Sequence, residues 1–216
     1  LYVKPYYEQV GIVIYHGDSL QLIPLLQVDV VITDPPYGVG IKYESYNDVL
    51  SHTTAMVLEF VKIATPVARC VAFSVGKWDT EKELYRILPP RWRMCWYKGA
   101  QSTASPIGFT DWESVFVYGD KIHNHAHDYF YAQPEEMGAF GHPCPKPLQF
   151  ARILISRLAR PAEIICDPFM GSGTTLRAAK DIGHRAIGIE IEERYCEIAA
   201  KRLAQGALDL FGEATA

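Results

Sequence analysis

The 216-residue chain has no run of 18 apolar residues and no signal-peptide pattern. A transmembrane helix and export drop out of the reading, and a soluble cytoplasmic protein is expected. Cysteine is sparse and unorganised. Cys70, Cys95, Cys144, Cys166 and Cys196 form no C-x-x-C pair, which argues for reduced thiols and against a disulfide framework or a zinc site. Internal repeats and low-complexity segments are missing, so solenoids and compositionally biased architectures are set aside. Positive charge is not in excess either. The formal net charge is -4, and nothing global advertises a polyanionic partner. The first position holds Leu, not Met, so a natural start further upstream is expected.

What is present is an ordinary globular profile, 49% hydrophobic and 21% charged, of a length that suits one domain or one with a small appendage. Charge is uneven along it. Residues 62–98 carry eight Lys/Arg against three Asp/Glu, and residues 146–160 four against none, whereas residues 111–140 carry six acids and one Lys. The basic blocks are candidate phosphate contacts, with Lys77, Arg91, Arg93 and Lys98 as named residues.

Apolar or β-branched runs at 10–15 (VGIVIY), 28–33 (VDVVIT), 70–75 (CVAFSV), 163–166 and 185–189 predict strands. Periodic stretches from 48 or 51 to 64, and at 80–88, 148–158, 174–182 and 192–203, predict helices. Aromatic-rich runs at 91–97 and 112–118 predict an antiparallel pair. Strand and helix alternate at both ends of the chain. That predicts an α/β doubly wound, mostly parallel sheet with the antiparallel pair at one edge. Residues 119–141 read as an inserted loop.

Two stretches carry chemistry. In "IICDPFMGSGTT" (164–175) a strand runs into an acid, a glycine loop and a helix start, where backbone N–H groups can approach a ligand closely. A phosphate-binding P-loop needs a Lys that is missing. A dinucleotide fingerprint needs a third Gly where Leu176 stands. Glu190 closes the next strand 19 residues after Gly171, an offset at which a carboxylate can hold both hydroxyls of a ribose. A ribose clamp without a phosphate signature points to a nucleoside cofactor that lacks a pyrophosphate, and S-adenosylmethionine fits. Asp167 is placed to take its ammonium.

In "TDPPY" (33–37) a buried strand ends on Asp34, Pro35, Pro36 and Tyr37. Ionised Asp34 only accepts hydrogen bonds, and Pro35 likewise offers only its carbonyl. Pro36 restricts Pro35 and so aims that carbonyl. Tyr37 adds a flat face. Two acceptors beside an aromatic ring suit a planar base with an exocyclic NH2. Each N–H can be drawn to one acceptor, freeing the nitrogen lone pair for in-line attack on a methyl sulfonium. Such a base has to leave its stack first.

Together these motifs resemble the amino-group DNA methyltransferases, which modify adenine N6 or cytosine N4. TDPPY is similar to their catalytic motif and DPFMGSGTT to their cofactor motif. HPCPKP (142–147) is similar to their H-P-x-x-K-P element, GIEIEERYCEIAAKRL (188–203) to the acidic strand end and helix that follow, and HGDSL (16–20) to the strand exit upstream. Asp34 precedes Gly171 by 137 residues, so the order resembles the permuted β group, catalytic half first. The expected organisation is a Rossmann-like methyltransferase domain with residues 1–118 as catalytic half, 119–141 as a small target-recognition loop, 142–206 as cofactor half and 207–216 as a loose tail.

The resemblance implies Asp34, Pro35, Pro36 and Tyr37 as the base-binding and catalytic set. It implies Asp167, Phe169, Gly171, Gly173 and Thr174 at the methionine end of S-adenosylmethionine, with Ser172 in the same loop. Glu190 then holds the ribose, Asp18 lies near the adenine, and Lys146 flanks the cofactor. The partner is DNA, in the interior of a bacterial cell or from a phage-encoded source, and no membrane. A short recognition region favours a short target site or one shared with a second subunit as a homodimer. Adenine N6 is the expected acceptor, because D-P-P-Y is commoner for adenine in that family. Cytosine N4 is the alternative, followed by an RNA methyltransferase or a binding module without catalysis. His123, His125 and His127 share a face on an extended chain, yet methyl transfer needs no metal. No metal is expected, and His123 and His125 are read as DNA contacts when protonated. Ser74 has no His/Asp partner at a recognisable spacing, which excludes a hydrolase triad. Trp78, Trp92, Trp96 and Trp112 are read as packing residues.

Overall fold

A computed structural model describes residues 3–42, 47–99, 103–105, 108–120, 124, 126–136, 138 and 145–204. Its main element is a nine-stranded sheet. In chain order the strands are β1 (Tyr7–Gln9), β2 (Ile12–His16), β3 (Val30–Thr33), β6 (Cys70–Val75), β7 (Trp92–Tyr97), β10 (Trp112–Gly119), β11 (Tyr129–Tyr131), β12 (Ile164–Asp167) and β13 (Arg185–Glu190). Two small hairpins, β4 (Val39–Lys42) with β5 (Asn47–Val49) and β8 (Thr103–Ser105) with β9 (Gly108–Thr110), stand apart from it. The helices are α1 (Ser19–Leu22), α2 (Leu50–Ala64), α3 (Trp78–Ile87), α4 (Leu148–Leu158), α5 (Thr174–Asp181) and α6 (Glu193–Ala204). None of those described is long and apolar enough to cross a membrane.

The sheet order is β1-β2-β13-β12-β3-β6-β10-β7-β11. The five strands from β2 to β6 are parallel. They are apolar on both faces because both faces are covered. Val30 and Ile32 point into one core with Leu154, Leu176, Ala178 and Cys196, whereas Val31, Val71 and Phe73 point into the other with Phe60 and Leu84. The two cores follow directly from the period-2 alternation of a strand.

The path of the chain creates the crevice. After β3 it crosses through α2 to β6 on one side, and after β12 it crosses through α5 to β13 on the other. β3 and β12 are neighbours, with Val30 opposite Ile165 and Val31 opposite Cys166. Two crossovers that leave adjacent strands in opposite directions cannot both cover the gap between them, so a ligand site opens at the carboxyl ends.

The predicted antiparallel pair exists, but it does not form the edge. β10 lies between β6 and β7, antiparallel to both. The edge strand is β11, parallel to β7, and it comes from the stretch expected to be loop. At the other edge β1 and β2 form a hairpin, and Val10, 98% exposed, lies at its tip rather than in the strand. His123, His125, residues 142–144 of the HPCPKP element and the expected loose tail lie outside the described residues.

Candidate active site

The glycine loop after β12 is built around two buried carboxylates. Asp167, 4% exposed, accepts from Thr33 Oγ1 at 2.6 Å and from the Phe169 N–H at 3.2 Å. The first bond ties the end of β12 to the end of β3 across the crevice. Glu190, 9% exposed, accepts from the Gly171 N–H through Oε2 at 3.0 Å and from the Glu192 N–H through Oε1 at 2.8 Å. Burial disfavours the charged form of each and outweighs those donors. Asp167 is pushed up to about 6 and Glu190 to about 7.

Gly173 precedes α5 in the left-handed conformation, φ 79°, and a Cβ there would lie 2.8 Å from Ala199 Cβ. Both facts demand glycine. Ser172 is tied to α6, its carbonyl and Oγ accepting from Arg202 Nη1 at 2.6 and 3.0 Å. Thr174 is buried in the first turn of α5. Phe169 sets its ring edge-on to Phe60, with centroids 5.4 Å apart. Asp18 caps α1, accepting from the Leu20 N–H at 2.9 Å.

The second half of the site follows β3. Asp34 does not stand alone there. Its Oδ1 accepts from the Tyr37 hydroxyl at 2.5 Å and from the Ser74 hydroxyl, and it lies 3.2 Å from Lys146 Nζ. Lys146 also donates to the Tyr37 oxygen at 2.8 Å and to Glu113 Oε2 at 3.2 Å. Lys98 pairs with Glu113 Oε1 at 3.1 Å. Burial alone would push Lys146 down, but Asp34 and Glu113 outweigh it and hold the ammonium above its ordinary value. Burial likewise works against an ionised Glu113, and the two lysines overcome it. The Tyr37 hydroxyl is held well above its ordinary value by burial, then by Asp34 and Glu113. Four side chains of opposite charge therefore balance in a poorly solvated space.

One cavity of about 510 Å³ joins the halves, bordered by Asp34, Pro35 and Tyr37 on one side and by Asp167, Gly171 and Glu190 on the other. That volume suits a drug-sized ligand. Asp18, Pro36, Lys146, Phe169, Ser172 and Thr174 also line it.

The other named residues scatter. Lys98 is 7% exposed and committed to Glu113, so the solvent-facing phosphate contact expected of it gives way to a buried ion pair. Arg91 precedes β7 and pairs with Asp120 at 3.0 Å, at the end of the sheet opposite to the site. Arg93 pairs with Glu81 at 3.4 Å and lies over the Trp112 ring. Lys77 is exposed and precedes α3, next to Gly76, on which the Tyr37 ring rests. Lys146 was expected to flank the cofactor, but its ammonium reaches the Asp34 cluster. Of the four tryptophans, Trp96 is buried, whereas Trp78 and Trp112 are exposed.

Ser74, Glu113 and Glu192 line or complete the site without having been expected there. For Glu113 a signal existed: an acid inside the apolar strand WESVFVY is costly to bury without a partner. Ser74 carries no such signal, because a hydroxyl in a strand is commonplace.

Known proteins resemble this chain in sequence and in fold. A family model for N6/N4 DNA methylases matches residues 110–201. Type II methyltransferase M.ScaI of Streptomyces caespitosus is 27% identical, the match covering 96% of this chain and 86% of that protein. M2.LlaDCHI of Lactococcus lactis subsp. cremoris is 26% identical, over 96% and 94%. The solved complex of M1.HpyAVI with SAM superposes with a TM-score of 0.63 at 26% identity, over 88% of this chain and 99% of that one. The chain is similar to the amino-group DNA methyltransferases. The PvuII cytosine-N4-specific methyltransferase shares the fold, with a TM-score of 0.73 at 19% identity over 95% and 90%. In an amino-group methyltransferase a methyl donor and an exocyclic amine have to meet in one space. In this chain the glycine-loop carboxylates and the Asp34 cluster line a single cavity.

Proposed function

We propose that the protein moves a methyl group from S-adenosylmethionine to the exocyclic amine of a DNA base rotated out of the duplex, with adenine N6 as acceptor. The observation that carries this reading is the shared cavity, with acceptors for an amine on one wall and buried carboxylates beside a glycine loop on the other. The cofactor fits these residues. Glu190 spends one lone pair of each oxygen on a backbone N–H, which leaves acceptors for ribose hydroxyls. Asp167, Phe169, Gly171, Ser172, Gly173 and Thr174 border the methionine end, and Asp18 the adenine end. Bound there, S-adenosylmethionine would supply an electrophilic methyl on a positive sulfur.

Asp34 and the Pro35 carbonyl take the two amine N–H groups, and Pro36 holds that carbonyl in aim. With the methyl donor bound, an N–CH3 bond would form as the C–S bond broke and its electron pair returned to sulfur, and one amine proton would pass by way of Asp34 to solvent. In this reading residues 1–118 are the catalytic half, 142–206 the cofactor half and 119–141 a short recognition segment, in the motif order of the permuted β group. Asp-Pro-Pro-Tyr supports adenine over cytosine N4, whose enzymes more often carry Ser at the first position.

Incubation with DNA and labelled cofactor, followed by nucleoside identification, tests the reading. N6-methyladenine is expected, and N4-methylcytosine alone refutes the adenine assignment. Asp34→Ala should abolish transfer and leave cofactor binding intact.

A further inference from the structure

The Asp34 carboxylate is asymmetrically engaged. Three donors converge on Oδ1: the Tyr37 hydroxyl, the Ser74 hydroxyl and the Lys146 ammonium. Among the described residues no donor reaches Oδ2. An amine arriving through the cavity therefore meets one unoccupied oxygen in a set orientation. Of the three donors only Lys146 brings charge.

The position of Lys146 is itself held from several sides. Its neighbours Pro145 and Pro147 are buried, and the ring of Pro147 fixes φ at -65° directly before α4. Its ammonium lies 4.9 Å from the centroids of both the Trp96 and the Tyr37 rings, within cation–π range. Glu113 binds it from β10, and Lys98, at the end of β7, balances Glu113 in turn. The charged or titratable groups facing Lys146 are thus Asp34 and Tyr37 after β3 and Glu113 on β10. Breaking one partner of such a cluster leaves an uncompensated buried charge.

We propose that Lys146 is a positioning residue for base methylation: supported by Glu113 and Lys98, it keeps Asp34 turned so that Oδ2 faces the incoming amine. This rests on the function proposed above. It gives the Pro-Lys-Pro element a task on the catalytic side of the cavity rather than on the cofactor side.

The test is single-turnover methylation of duplex DNA at saturating cofactor, with cofactor affinity measured separately by calorimetry. Lys146→Met should slow transfer by about tenfold or more, as misoriented reactive groups do. The double variant Lys146→Met with Glu113→Gln keeps the cluster neutral. It guards against simple misfolding and should be slowed to a similar extent. Lys146→Arg retains the charge and the donors and should recover most of the rate. Cofactor affinity should stay within about twofold in all three, since no contact with that ligand is assigned to them.

An unslowed transfer rate in both Met variants overturns the inference, as does a Lys146→Arg rate no better than that of Lys146→Met, or weakened cofactor binding with an unchanged rate at saturating cofactor. Failure of the underlying function shows differently, as an unaltered protein that methylates no DNA at any pH, and it takes the inference with it.

Discussion

Glu190 offers the most quantitative prediction. Its carboxylate is buried, and its ordinary value of 4.5 is pushed up to about 7, chiefly by loss of hydration. The folded protein then binds the Glu190 proton more tightly than the unfolded chain does. Stability falls as pH rises from about 4.5 through about 7, and the full penalty is present above that. At ~1.36 kcal/mol per unit the penalty is on the order of 3 kcal/mol at pH 8, with less than about 1 kcal/mol of it present at pH 5.

Glu190→Gln cannot ionise and escapes that penalty. It loses something else. Both carboxylate oxygens accept backbone N–H groups, from Gly171 and from Glu192, and an amide presents only one acceptor. One donor is stranded at a cost of about 1–3 kcal/mol, independent of pH. The cofactor-free Gln variant should therefore be less stable than the unaltered protein at pH 5 and draw level or better at pH 8. The gap should move by about 2–3 kcal/mol, or roughly 4–12 °C in Tm for a chain of this size. The pH response of Asp167 is common to both proteins and largely cancels in the difference. Thermal or urea melts at the two pH values measure it. A gap that does not change with pH would refute the assignment of Glu190 as a carboxylate held at a desolvation cost. The same variant should bind S-adenosylmethionine more weakly.

Two further tests address neighbouring features. At Gly76 the backbone is ordinary, but an added Cβ would run into the Tyr37 ring. Gly76→Ala should displace Tyr37 and lower the methylation rate by about tenfold or more with cofactor affinity retained, as steady-state kinetics and calorimetry would show; an unaffected rate would mean that the ring position is immaterial. Among the exposed basic residues Lys77 lies beside the site and Arg91 at the opposite end of the sheet. Lys77→Ala should weaken DNA binding for all sequences alike and reduce the salt slope by about 1, whereas Arg91→Ala should not. Salt titrations of affinity distinguish them, and equal effects would contradict the placement.

Much of the fold was legible because local rules decided it. The apolar runs of β3, β6 and β12, the glycines of the cofactor-side loop and the 3.6-residue periodicity of α4 and α6 are written in short windows. Strand placement was not. β10 is expected at one edge as half of an antiparallel pair, and only its pairing with both β6 and β7 puts it inside the sheet. β11 was missed because three residues in an acidic, irregular stretch carry no detectable alternation.

The candidate site divides the same way. Asp34, Tyr37, Asp167 and Glu190 are legible as candidates because each sits at or just after a strand end in a motif whose residue types state their chemistry. Ser74 and Glu113 carry no such motif, Lys98 reads as a phosphate contact, and Lys146, expected to flank the cofactor, reaches the Asp34 cluster. Their sequence separations from Asp34 run from 40 to 112 residues, and no local pattern connects them. By itself the sequence determined which groups can accept, donate or stack, and where the chain must turn. Tertiary structure alone decided which of them share a low-dielectric space. There a buried carboxylate needs a cation within a few ångströms, and only the packing of β3, β6, β7, β10 and the segment before α4 could bring one that close.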